Sequence, residues 1–222
     1  PPRSTLFPYT TLFRSNMSDI MVVGQFGASN SLGAVGSTSI LITLFTGVMI
    51  GFGNAVNVIV AKAIGAKDKN GIFKAIHNSI IICFFIGLFF GLFGVIFAKP
   101  LLTLLKTKDT LFNKASLYLM VYLCGMPGVS LYNYGNEIYS SLGDTKRPLI
   151  ILALSGLLNI LLNLFFVIVL HLDVLGVALA SIISQYCSMI FILLSLMKRK
   201  DEFKLELNRI KFDFDGFKEL MK

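Results

Sequence analysis

The 222-residue chain contains no tryptophan, only two histidines and three cysteines, and its charged residues amount to 14%. Each shortage excludes something. Soluble domains carry about 25% charged residues, so this chain lacks the charge to cover a solvated surface. The histidines, His77 and His171, fall in different apolar runs. Cys83, Cys124 and Cys187 stand singly inside apolar runs, with neither zinc spacing nor a disulfide context, and read as small buried hydrophobes. No glycine-rich phosphate loop follows a strand. These absences leave no enzyme constellation. Without tryptophan, interfacial anchoring falls to tyrosine and phenylalanine.

What the chain has instead is apolar length. It is 55% hydrophobic with a mean hydropathy of +0.77, the composition of an integral membrane protein. Apolar runs at about 16–28, 37–61, 75–98, 115–141, 148–170 and 174–197 predict six helices, the first one short. The expected fold class is therefore an all-α, polytopic membrane protein. The formal charge is +8, but the bases cluster between the runs. That is a juxtamembrane pattern, not a nucleic-acid surface. Lys62, Lys67, Lys69, Lys74, Lys146, Arg147, Lys198, Arg199, Lys200 and Lys204 follow even-numbered runs; Lys99, Lys106, Lys108 and Lys114 lie opposite. The imbalance places the loops after even-numbered runs in the cytoplasm.

The N-terminus reads differently from the rest. Residues 5–15, TLFPYTTLFRS, resemble the in-frame translation of a widely used short-read sequencing adapter. Residues 1–15 are therefore expected to be an artefact; a natural amphiphilic leader is the alternative. The first helix would then be clipped and the chain a fragment. Residues 198–222 are charged and amphipathic, and read as a truncated cytoplasmic linker.

Several local readings follow. Residues 29–36 and 62–74 are expected as loops, and 100–114 as a charged connector. Gly47 and Gly51, and Gly87 and Gly91, are spaced to admit a close helix neighbour or simply to pack. Pro127 removes a backbone donor and should kink the fourth helix. Glu137, near the end of that run, is read as a carboxylate reaching the interface rather than a buried ion site. In the turn at 143–148, Gly143 suits the position after a helix, Asp144 or Thr145 a cap, and Pro148 a first turn.

The chemistry is a polar set at membrane depth: Asp19, Asn54, Asn57, Asn159, Asn163, Ser181 and Gln185. Asp19 is the one carboxylate placed inside the bilayer. Such a group is expensive in hydrocarbon and can exchange H⁺ or Na⁺; an interfacial position, misjudged because the first run is short, is the alternative. Asn159 and Asn163 are four apart and share a helix face, as interhelical packing contacts or as part of a site. Asn54, Asn57 and Gln185 are candidate cavity-lining residues.

Five segments in order carry a resemblance: Asp19–Gly24, Ala61–Asp68, Ser141–Pro148, Asn159-x-x-x-Asn163 and Gly176–Gln185. Together they resemble the multidrug and toxic compound extrusion (MATE) family, its DinF-like bacterial branch best. The resemblance implies the N-terminal six-helix lobe of a twelve-helix transporter whose two lobes surround an alternately opening cavity. It assigns Asp19 to the acidic coupling position of the first helix and Asn159 to an amide of the same site. Ser181 falls at a sixth-helix hydroxyl position. Asn163 stands where many relatives have Asp, which leaves the coupling ion and its stoichiometry open. A Na⁺ ion, if used, would sit at Asp19 and Asn159.

The expected function is cation-coupled export, by H⁺ or Na⁺, of amphiphilic and cationic drug-like small molecules. The expected setting is the bacterial inner membrane, as a multi-pass protein. No catalytic residue and no cofactor beyond the coupling ion is expected. The expected partners are such small molecules, the lipid bilayer and a missing C-terminal lobe, and no nucleic acid. A flippase of lipid-linked precursors is the alternative within the superfamily, but it would want basic residues at mid-helix. An integral membrane enzyme would want clustered His or acidic residues, and a truncated, inactive fragment is compatible with the first reading.

Overall fold

In the computed structural model, residues 17–210 are described, and they are helical nearly throughout. The segment read as adapter-derived, 1–15, and the end of the linker, 211–222, lie outside them. A helix at 17–26 (α1) leads into α2 (Ser31–Gly65), α3 (Lys69–Leu104), α4 (Asp109–Leu123), α5 (Met126–Ser141), α6 (Lys146–Leu164) and α7 (Asp173–Met197). A π-helical turn, Phe165–Val169, extends α6, and a short 3₁₀ turn, Leu207–Arg209, lies beyond α7. Among the described residues four helices are long and apolar enough to cross a membrane, and the α4–α5 pair, taken as one bent span, makes five.

Three loop expectations are corrected. The loop expected at 29–36 shortens to residues 27–30, because α2 begins at Ser31. The expected loop at 62–74 reduces to residues 66–68. In the connector expected at 100–114, α3 continues through Pro100 to Leu104 and α4 already starts at Asp109. The cause is common to all three. Apolar runs mark the part of a helix that meets lipid, whereas backbone hydrogen bonding continues through polar residues beyond it.

The expected fourth helix is two. α4 and α5 meet at 45° across a two-residue break at Cys124 and Gly125. Pro127 sits in the first turn of α5, where its missing N–H is no loss. It thus starts a helix after the bend. The turn from α5 to α6 uses Gly143 in the left-handed region, φ 74°, which costs glycine little. Asp144 and Thr145 make no strong cap: Thr145 forms no side-chain cap bond, and Asp144 Oδ1 accepts from the Arg147 N–H at a long 3.4 Å.

The small residues divide by role. A Cβ on Gly87 would lie 2.8 Å from Pro127 Cα, and one on Gly91 3.0 Å from the Leu123 carbonyl oxygen. This pair therefore lets α3 press against the α4–α5 break. Gly47 and Gly51 have nothing within 4 Å; they face open space rather than a neighbour.

Two buried clusters form the core. One joins Val35, Phe45, Met49, Leu119, Tyr122 and Val177 towards one end, and the other joins Val60, Ile76, Tyr134, Ile138, Ile192 and Leu205 towards the other. Each end is also closed by polar contacts. At one end Lys114 Nζ donates to Asp173 Oδ2 at 2.8 Å, Ser31 Oγ at 2.7 Å and the Ser29 carbonyl at 3.2 Å. Asp173 also accepts from the Ala28 N–H. This clamp ties the segment after α1 to α4 and α7.

At the opposite end the chain after α7 folds back. His77 donates from Nδ1 to the Phe73 carbonyl at 2.8 Å and accepts at Nε2 from the Glu206 N–H at 3.0 Å. Leu205 and Phe203 are buried there, and Lys69 pairs with Glu202 at 3.4 Å. Arg199 bonds Asp201 and lies over the Tyr139 ring. That hydrogen bond holds the Asp201 carboxyl below its ordinary range. The loops assigned by charge to the cytoplasm thus share one end of the bundle.

Candidate functional site

Asp19 points into the bundle and is fully buried, at 0% exposure. Its helix brings the carboxylate between α4, α6 and α7. Oδ2 accepts from the Tyr118 hydroxyl at 2.8 Å and the Ser181 hydroxyl at 2.7 Å. Oδ1 accepts from Asn163 Nδ2 at 2.7 Å. The two hydroxyl bonds have the ordinary O–H···O length.

A second layer of contacts orients the first. Asn159 Nδ2 donates to Ser181 Oγ at 3.2 Å, and its Oδ1 accepts from Ser18 Oγ at 2.8 Å. Asn163 also reaches Asn159 Oδ1 at 3.4 Å. The spacing that puts the two asparagines on one face of α6 thus turns that face towards α1 and α7. Ser181 reaches the site from the small-residue start of α7, where Gly176, Ala178 and Ala180 are buried. The π-helical turn begins two residues after Asn163 and ends the regular hydrogen-bonding of α6 beside the site; such turns recur at functional positions.

The structure therefore brings together Asp19, Asn159, Asn163 and Ser181. It adds two residues that the sequence reading missed, Tyr118 and Ser18. Tyr118 stands only three residues into the run that starts at 115, where a tyrosine reads as an interfacial anchor, so the sequence carried no signal for it. Ser18 has none either, since serine is common in membrane helices. Asn163 Oδ1 is buried without a hydrogen-bond donor, so one acceptor in the site is open. Asp19, Asn159 and this oxygen form a set that a small cation would fit. The side chains that bond Asp19 are uncharged, and among the described residues no three His, Cys, Asp or Glu side chains group as a metal site.

The other named residues do not touch Asp19, although Gln185 lies one turn beyond Ser181 and bonds Tyr122, which is within electrostatic range of Asp19. Gln185 is half-buried on α7 beside the α4–α5 break: a Cβ on Gly125 would collide with its Oε1, which has no hydrogen-bond partner. Asn54 is exposed and Asn57 half-buried on α2. Asn57 bonds Glu137, not Asp19. Glu137, read as reaching the interface, is instead 93% withdrawn, at 7% exposure. The cause is its crossing with α2, where Asn57 provides a buried donor.

A helical membrane lobe with a fully buried carboxylate, Asp19, held by hydroxyls and an amide fits a class: the multi-pass membrane proteins that carry an ionisable site between helices. The sequence model of the MatE family matches residues 6–165, and the chain belongs to that family, the MATE transporters. The match runs through residues 6–15, part of the segment read as adapter-derived. A probable multidrug resistance protein of Bacillus subtilis, YpnP, is 27% identical over 182 residues, covering 82% of this chain and 41% of that protein. An FAD transporter of Shewanella oneidensis is 25% identical over 178 residues, covering 78% of this chain and 39% of its own length. The chain thus spans less than half the length of these curated relatives. The crystal structure of MATE in the bent conformation superposes with a TM-score of 0.90 at 24% identity, covering 99% of this chain and 49% of that one. An inward-facing multidrug resistance MATE transporter superposes with a TM-score of 0.86 at 25% identity, covering 95% of this chain and 48% of that one.

Proposed function

We propose that this chain is the N-terminal lobe of a cation-coupled exporter of amphiphilic, cationic small molecules in the bacterial inner membrane, with Asp19 as the group that exchanges H⁺ or Na⁺. The observation that carries this reading is the burial of Asp19 among uncharged donors. A carboxylate in low dielectric without a cationic partner is costly. A proton or a Na⁺ ion relieves that cost, and each changes how strongly Tyr118, Asn163 and Ser181 are held. A group whose occupancy alters the packing of four helices can bias one arrangement of the lobe over another. The names of the relatives and the coverage of about half of the matched transporters support the same reading.

Alternating access in such transporters uses two lobes around a shared site, so a second lobe is the proposed partner and residues 198–222 the connection to it. The lobe expressed alone is expected not to export. The test is efflux of a fluorescent cation such as ethidium from proteoliposomes of the full-length protein containing this lobe, under an imposed H⁺ or Na⁺ gradient. Asp19→Asn should abolish gradient-driven efflux while the protein stays folded. Normal efflux by that variant overturns the assignment of Asp19.

A further inference from the structure

We propose that Glu137, with the amides of Asn57 and Asn136, forms a second cation site, separate from that of Asp19 and able to take a single positive charge, either Na⁺ or the ammonium group of an organic amine. The inference goes beyond the function proposed above and rests on it only in placing this face of the lobe inside a transporter.

The site is built by a helix crossing. A Cβ on Gly53 would lie 3.2 Å from Asn133 Cβ and 3.3 Å from Glu137 Cγ, a tight fit, so the missing side chain helps α2 cross close to α5. One turn further along α2, Asn57 then meets Glu137, itself one turn beyond Asn133. Asn57 Nδ2 spans two acceptors, the Glu137 carbonyl and Oε2, both at 3.1 Å. Asn136 Nδ2 donates to Oε1 at 2.9 Å. Each carboxylate oxygen therefore accepts one amide N–H, and the Tyr132 phenol lies within electrostatic range of the carboxylate.

Two neutral amides orient a carboxylate without neutralising it. A carboxylate at 7% exposure in a lipid-embedded bundle calls for a compensating charge. Along the helices, Glu137 lies roughly 20 Å from the level of Asp19, beyond direct contact, so one ion cannot serve both. The two carboxylate oxygens are hard donors that keep lone pairs beyond the one amide bond each accepts, which suits an alkali ion or an ammonium. Access is available from the side where Asn57 and Asn136 are half-buried and Asn54 is exposed.

The test uses the full 222-residue chain in nanodiscs and measures equilibrium binding of radiolabelled Na⁺ and of radiolabelled ethylammonium. Asp19→Asn removes the first site, so any saturable binding that remains reports the second. Glu137→Gln in that background should weaken the remaining binding by at least about tenfold. Binding of Na⁺ without ethylammonium identifies an alkali-ion site; binding of ethylammonium identifies a site for organic amines. The proposal is overturned if Asp19→Asn leaves neither probe bound, or if Glu137→Gln leaves the remaining binding unchanged. Should Glu137→Gln not fold, Asn57→Ala, which keeps the carboxylate, must weaken the same binding; unchanged affinity overturns the proposal equally. Efflux by Asp19→Asn decides the function proposed above, and this binding assay is independent of it.

Discussion

Asn163 Nδ2 lies 2.7 Å from Asp19 Oδ1, although 144 positions separate the two residues in the chain. The contact joins an amide to a carboxylate where an aspartate at 163 would have joined two carboxylates. Two carboxylates that close cannot both ionise, and they share a proton. An amide has no such constraint. Asn163 therefore leaves Asp19 as the site's one carboxylate, and it donates a hydrogen bond whatever the pH.

The first prediction follows directly. Asn163→Asp should let the pair hold one more proton, so the number of protons exchanged per substrate in the full-length protein should rise. Simultaneous recording of proton flux and substrate efflux in proteoliposomes measures it. An unchanged stoichiometry would mean that position 163 does not couple to Asp19.

Tyr118→Phe removes one of three hydrogen bonds to Asp19 and leaves the ring in place. Hydrogen bonds to charged groups contribute about 1.5–3 kcal/mol, so unfolding in mixed micelles should become easier by about that amount. If Asp19 is occupied by a proton at the pH of measurement, the cost falls to that of a neutral bond, about 1 kcal/mol. Comparing the loss at acidic and alkaline pH therefore reads the charge state of Asp19; a variant as stable as the wild type at every pH would show that the bond contributes nothing.

Lys114→Met should loosen the clamp at the end near α1. Its ammonium bonds Asp173 at 2.8 Å, with side chains 33% and 22% exposed. Partial exposure keeps the expected loss to about 1 kcal/mol. The informative readout is local: amide exchange should rise at residues 27–31, where Asp173 and Lys114 hold the backbone. Unaltered exchange there would show that the segment is held by packing alone.

His77→Phe keeps an aromatic ring beside Phe73 but removes the acceptor for the Glu206 N–H. Amide exchange at Glu206 should accelerate, while that within α3 stays slow. The neighbouring Asp201 carboxyl, bonded by Arg199, is expected to titrate below the usual Asp value of about 3.9. Because its folded-state value is depressed, that contact contributes above the usual value and is lost as the pH falls through the lower one. A carboxyl resonance of Asp201 titrating at or above 3.9 would contradict the contact.

Membrane insertion, the number and order of the apolar runs and the grouping of basic loops were legible in the sequence, because each depends on a local sum: enough apolar residues to span hydrocarbon, and lysines that stay outside it. The shared face of Asn159 and Asn163 was legible for the same reason, since helical period alone sets it. Helix ends were less so, because hydrogen bonding within α2 and α3 continues past the lipid-facing part.

What the sequence left open needed contacts between distant segments. Glu137 is buried because Gly53, far away in the chain and on the same helix as Asn57, lets α2 close against α5. Tyr118 becomes a partner of Asp19 only because α4 stands beside α1. The kink expected of Pro127 is present as a 45° bend, but only the packed structure shows that it is a full break at Cys124 and Gly125, with Pro127 in the first turn of the next helix. A residue's type and its helical phase decide which side of its helix it occupies. Only the packed bundle decides which helix it meets there, and so whether a carboxylate finds lipid headgroups, water or the amide of an asparagine.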